Sequence, residues 1–168
     1  MIDATMHALI EYGLVTPAAL GQAIATAEGS GTDWLEQLVL QGHLDEDAYC
    51  ACLSHVLLVP RCEPRRMAHI PPGVLAELPR EIALEHHAIP VWVDAEGDLH
   101  VAMVSPADSQ RWEEVRFFAG NGNRRRVMRE IIGPTAMAWA HHHYYGVAST
   151  LWPPASQHPQ AQAVGAQR

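Results

Sequence analysis

The sequence contains no lysine, and none of its 11 basic residues, all arginine, lies before position 60. The first absence excludes every mechanism that needs a lysine ammonium, including the P-loop nucleotide site and Schiff-base catalysis. A complete NTPase is therefore not expected in these 168 residues. The second absence leaves eight of the 19 carboxylates without a cation in the first third of the chain, which carries the whole formal charge of −8. From Arg61 onward, 11 Arg balance 11 Asp and Glu. A lobe with no cation releases no counterions on DNA or RNA and repels phosphate backbones, so nucleic acid is not its expected partner.

Long hydrophobic runs are missing too. No stretch approaches the roughly 20 apolar residues that span a bilayer, and the N-terminus lacks a basic segment followed by an apolar signal stretch. A cytoplasmic protein without direct membrane insertion is expected. Three cysteines (Cys50, Cys52, Cys62) give no disulfide framework and fit a reducing compartment. There is no Gly-x-Ser-x-Gly, no Cys-His nucleophile pair and no phosphate loop. Paired carboxylates occur only on polar helix faces (Glu81 and Glu85, Glu113 and Glu114), so the chain is not expected to be an enzyme, and no cofactor is expected.

What is present is an ordinary globular composition, 48% hydrophobic and 18% charged, with a weak internal repeat. Placing Gly13 on Gly42, an offset of 29 residues, also places Leu9 on Leu38, Val15 on Leu44, Thr16 on Asp45 and Leu20 on Tyr49. Each unit reads as a helix closed by glycine, a short apolar turn, an N-cap (Thr16 or Asp45) and a second helix. Gly29-Ser30-Gly31 reads as the linker between units.

The spacing predicts an α+β protein, a small N-terminal helical bundle followed by a three-stranded mixed sheet flanked by helices. A helical lobe spans 1–60, an irregular Pro- and Arg-rich crossing 61–72, an α+β lobe 73–146, and a disordered tail or linker stub 147–168. Short helices are expected near Val74–Leu78 and Glu81–His86, and a hairpin from Ala88–Val93 and Leu99–Val104 around Glu96-Gly97. A helix over Asp108–Phe118 should turn Trp112, Val115 and Phe118 inward. A third strand (Arg126–Ile132) and a closing helix (Pro134–Tyr145) complete the lobe, with Ala136, Trp139, Ala140 and His143 on the inner side of that helix.

The tightest group of metal-ligand types is Cys50, Cys52, His55 and Cys62. Helical residues i and i+2 point about 200° apart, so Cys50 and Cys52 do not face one ion, and no metal is expected. Cys52 reads as a small core residue and Cys50 as the more exposed one. His141-His142-His143 diverge by about 100° per residue and read as surface histidines, with His143 partly buried. Arg124-Arg125-Arg126 beside Gly120-Asn121-Gly122 is a candidate surface for an acidic partner, and Asp45-Glu46-Asp47 for a basic one. Arg61, Arg65 and Arg66 are candidates for holding an anionic ligand.

In order and spacing, several segments resemble the N-terminal region of the ATPases that drive type II secretion and type IV pilus assembly. They are the units ending at Gly13-Leu14-Val15 and Gly42-His43-Leu44, then Leu78-Pro79-Arg80-Glu81-Ile82-Ala83, His87-Ala88-Ile89-Pro90-Val91, Leu99-His100-Val101-Ala102-Met103, Pro106-Ala107-Asp108, Phe117-Phe118-Ala119-Gly120 and Tyr144-Tyr145. The resemblance covers roughly residues 4–146. It implies a docking or regulatory module that precedes a motor domain. Its expected partner is a cytoplasmic domain of an inner-membrane assembly protein, or a separate motor ATPase.

A subset of that family binds cyclic di-GMP through tandem motifs that open with Arg-Leu-Gly and close with Gln. Here the Arg positions hold Ala4 and Asp33 (or its neighbour Thr32), the first Gly positions Met6 and Leu35, and the closing Gln positions Ala27 and Val56. Only the leucine and glycine framework matches. A dinucleotide with two phosphates needs guanidinium forks or amide nests, so docking is the expected function and a cyclic di-GMP sensor the alternative.

Overall fold

A computed structural model describes residues 4–152. The chain starts with four helices, α1 (Ala4–Glu11), α2 (Pro17–Ser30), α3 (Trp34–Leu40) and α4 (Glu46–Leu57). The repeat read from the sequence is a repeat of geometry. Gly13 and Gly42 sit in the left-handed region at φ 68° and 72°, where a side chain would be strained. In each unit the next amide reaches back five residues, Leu14 to the Leu9 carbonyl and His43 to the Leu38 carbonyl, both at 2.9 Å. That bond satisfies an otherwise orphaned carbonyl at the helix end. Leu9 and Leu38 are themselves fully buried. Thr16 and Asp45 cap the second helices, accepting from the amides of Ala19 and Ala48.

Two boundaries differ from expectation. Helix α2 runs through Gly29 and Ser30 and ends only at Gly31, φ 68°; Asp33 then caps α3. The crossing at 61–72 contains a short helix, α5 (Pro64–Ala68), because Pro64 at the first helical position is pre-set for a helical φ.

Helices α6 (Pro72–Leu75) and α7 (Arg80–Glu85) lead into strands β1 (Ala88–Val93) and β2 (Leu99–Met103). Helix α8 (Ser109–Ala119), strand β3 (Val127–Ile131) and helix α9 (Pro134–Tyr145) follow. The sheet order is β1-β2-β3, antiparallel then parallel, so the expected α+β class with a mixed three-stranded sheet is what forms. Pro90 lies in the edge strand β1, next to a register shift between Pro90 and Trp92. Edges and bulges are where a residue without an N–H is tolerated.

One core cluster joins Leu9, Leu38 and Tyr49 of the helical lobe to Ile89, Ala102, Ile131 and Met137 of the α+β lobe. A second holds Leu78, Ala83, Leu99, Val101, Met103 and Val115. The buried Tyr49 hydroxyl donates to the Val104 carbonyl at 2.6 Å, which fixes the helical lobe on the sheet.

Several side chains face other ways than expected. Phe118 is 42% exposed; α8 buries Val115 as expected, and Ala119 rather than Phe118. Helix α9 buries Met137, Ala138, Ala140 and His141, leaving Ala136 and His143 exposed. Cys50 is buried and Cys52 half-buried, the reverse of the expectation, because α4 packs the Tyr49, Cys50 and Leu53 face. Residues 147–152 of the expected tail are among the described residues, and the rest of it lies outside them.

Candidate functional site

Where the resemblance would place the arginines and first glycines of a dinucleotide motif, the residues present have structural roles or carry no charge. Met6 and Leu35 are buried in the core, so apolar side chains fill the places where glycine would leave room. Ala4 carries no charge. Asp33 is an N-cap whose Oδ1 accepts from the Leu35 amide at 2.9 Å, with Oδ2 3.9 Å from the Arg111 guanidinium. A carboxylate thus stands at, or next to, one of the two positions where the motif has arginine.

The first arginine group is drawn apart. Arg61 pairs with Asp47 of α4. Arg66 lies over the Trp92 ring, 3.4 Å from its centroid, and 3.6 Å from Glu63. His100 stacks on Trp92 with ring centroids 4.2 Å apart, and the Trp92 Nε1–H donates to buried Glu130 at 3.2 Å. Arg65 is exposed. Arg65, Arg66 and His69 together line an open cleft of about 420 Å³ beside Trp92 and Val74. Trp92 and His69 were not among the residues expected there. A Trp held between an Arg and a His was hidden because its partners lie on three separate elements.

The other candidates are mostly engaged inside the fold. Arg125 pairs with Glu77 at 3.0 Å and donates to the Gly97 carbonyl; Arg126 lies 3.5 Å from Asp98; Arg124 is exposed. Asp45 is the α4 cap. Glu46 reaches across to α9, its two oxygens each 2.6 Å from the amide and hydroxyl of Thr135.

A second cleft, of about 180 Å³, opens between the lobes. Leu35, Val104, Pro134 and Met137 form apolar walls, and Asp33, Glu36, His87, Arg111 and His141 bring polar groups. Desolvation, then the neighbouring Asp33 charge, raises the pKa of Glu36. Desolvation lowers the pKa values of His87 and His141, keeping both imidazoles neutral; His141 Nε2 is 2.9 Å from the Ala88 carbonyl. No group of three or more potential metal ligands converges among the described residues. Burial pushes the Cys50 thiol up to about 11 and Cys62 up to about 12, with Glu130 adding to the latter. Thiols held protonated are poor ligands and nucleophiles.

The exposed large apolar side chains include Tyr12, Leu40, Val56 and Leu58 on the helical lobe and Phe117 and Phe118 on α8. No helix among the described residues is long and apolar enough to cross a membrane.

Comparison with known proteins adds the following. The family model of the MshEN domain matches residues 59–151. The type IV pilus assembly ATPase PilB of Thermus thermophilus is 36% identical over 114 residues, which are 67% of this chain and 13% of PilB. The solved structure of MshE with cdg matches with a TM-score of 0.56 at 24% identity, over 83% of this chain and 96% of that one. The N-terminal domain of XpsE matches at 0.59 and 21%, over 79% and 88%. At these identities the two structures establish a shared fold.

Proposed function

The chain belongs to the MshEN domain family, the N-terminal domain type of secretion and pilus-assembly ATPases, and from that premise we propose that it is a non-catalytic docking module. Its setting is a type II secretion or type IV pilus type of assembly system, on the cytoplasmic side. The observation that carries this reading is the helical lobe. It exposes Tyr12, Leu40, Val56 and Leu58 in a stretch with eight carboxylates and no Lys or Arg. Apolar side chains in a field of one sign suit a partner that brings apolar residues within a basic surface. The partner class is a cytoplasmic domain of an inner-membrane assembly protein, or a motor ATPase.

The test is a titration of the labelled chain with the purified motor domain of a pilus or secretion ATPase and with such a cytoplasmic domain, at low and high salt. Binding that weakens as salt rises supports the proposal, because screening removes the steering field. Salt-independent binding would point to a purely apolar interface, and binding to neither would count against docking.

A second reading, a cyclic dinucleotide sensor, is favoured by one observation: Arg65, Arg66 and His69 surround an open cleft beside Trp92, and a guanidinium beside an aromatic suits a phosphate with a base. Under that reading Arg65→Glu abolishes cyclic di-GMP binding and leaves the fold intact. Under the docking reading there is no dinucleotide binding to abolish.

A further inference from the structure

After α9 the chain turns at Gly146, φ 69°, and comes back over the cleft between the lobes. Val147, Ser149 and Leu151 form part of that cleft's wall, against Leu35, Glu36, Val104, Met137 and His141. The Thr150 hydroxyl donates to the Glu36 carboxylate on α3. Most of the hydrogen bonds in this strap stay within it. Ser149 Oγ accepts from the amides of Leu151 at 3.1 Å and Trp152 at 3.2 Å, and the Ser149 amide donates to the Trp152 carbonyl at 3.1 Å. The strap is thus a largely self-contained turn, tied to the rest of the chain by the Thr150 hydroxyl and by the Val147 amide, which donates to the His141 carbonyl at 3.4 Å.

We propose that the cleft between α3, the end of β2 and α9 is a peptide-binding site, and that residues 147–152 dock along its rim in cis as a displaceable self-ligand. Three features support displacement as a unit. The hinge is a glycine in the left-handed region, which can redirect the chain without a side-chain penalty. The turn keeps its own bonds when lifted, so undocking loses the tether to Glu36 and one long backbone bond, from the Val147 amide to the His141 carbonyl at 3.4 Å, rather than a ladder of backbone bonds. The cleft walls are held without the strap, because Leu35 and Met137 are in the main core cluster. The site therefore suits a short segment with a hydroxyl residue followed by an aliphatic one. Glu36 accepts from the hydroxyl, and Leu35, Val104 and Met137 take the aliphatic side chain. This surface is separate from the exposed helical-lobe residues in the docking proposal, and the two stand or fall separately.

The test uses the full chain and a fluorescently labelled synthetic peptide with the sequence of residues 146–152. In the wild type the strap competes as an intramolecular ligand at high effective concentration, so the peptide binds weakly. In Thr150→Ala/Leu151→Ser the strap is released from the cleft's rim, and binding is expected to tighten at least about tenfold. Adding Glu36→Ala to that variant should remove most of the gain. Thr150→Val, which keeps the volume and deletes the donor, should give a smaller gain in the same direction. Thermal unfolding of each variant confirms that the domain is folded. Equal affinity for wild-type and strap variants, or no binding to a folded open variant, would overturn the proposal.

Discussion

Glu46, on the second helix of the second repeat unit, caps the helix that begins 88 residues later at Pro134: its carboxylate oxygens lie 2.6 Å from both the amide and the hydroxyl of Thr135. A carboxylate at a helix N-terminus satisfies orphaned donors and complements the helix dipole. Here it also ties the helical lobe to the sheet-bearing lobe. Gly133 leaves it room, since a Cβ there would come within 2.9 Å of Glu46 Oε1.

Glu46→Ala is therefore expected to destabilise the whole domain by about 2 kcal/mol, the cost of a lost cap and a charge-assisted bond. Glu46→Gln should cost less, because the amide oxygen still accepts from one donor. Urea unfolding of the three chains checks this; a loss of partner affinity with unchanged stability would contradict it.

Leu58 ends α4 in the left-handed region at φ 54° and is 88% exposed. A leucine there pays the steric penalty that glycine avoids, about 1 kcal/mol. Leu58→Gly should raise the unfolding temperature. A lower temperature would mean that the exposed side chain makes a stabilising contact.

The thiols give a reactivity prediction. Burial favours the neutral forms of Cys50 and Cys62, whose pKa values rise to about 11 and about 12. At pH 8 their thiolate fractions are then on the order of 0.1% or below, and both should react with Ellman's reagent at least about 100-fold more slowly than free cysteine. With both values raised, this contribution to stability is present below the ordinary thiol range. It is lost as pH climbs through about 11 and then about 12. Rapid labelling of all three cysteines in the folded chain would contradict the burial.

At acid pH the sign comes from histidine. Desolvation depresses the pKa of His141 below its ordinary 6.5. The folded state thus binds this proton less readily than the unfolded chain. The resulting stability is full above pH 6.5 and is lost as pH falls through the depressed value. The urea midpoint should drop between about pH 7 and pH 5, and His141→Gln, which keeps a donor for the Ala88 carbonyl, should flatten that slope. An unchanged slope would assign the acid sensitivity to other groups.

The helical repeat and the three strands were legible because their signals are local. Gly13 and Gly42 mark left-handed turns, Thr16 and Asp45 mark caps, and β-rich runs flank Glu96-Gly97. What misled was helix rotation. Helix α9 spreads its Ala and His residues around the helix, so nothing in Pro134–Tyr145 distinguishes the buried Met137–Ala140–His141 face from the exposed His143 side. On α8 the sheet accepts the small Ala119 and leaves neighbouring Phe118 outside. The clefts were less legible still. Glu36, His87, Arg111 and His141 meet in one, and Arg65, His69 and Trp92 in another, across sequence separations that no local pattern records. The strap at 147–152 was masked by its polar, alanine- and proline-rich surroundings.

In the proposed docking role the MshEN framework acts without the arginines that would hold a dinucleotide's phosphates. A calorimetric titration of the chain with cyclic di-GMP tests it most directly. With Ala4 and Asp33 where arginines would stand and Met6 and Leu35 packed into the core, the account predicts no heat up to millimolar ligand. Saturable heat at micromolar affinity would contradict it and make the module a dinucleotide sensor.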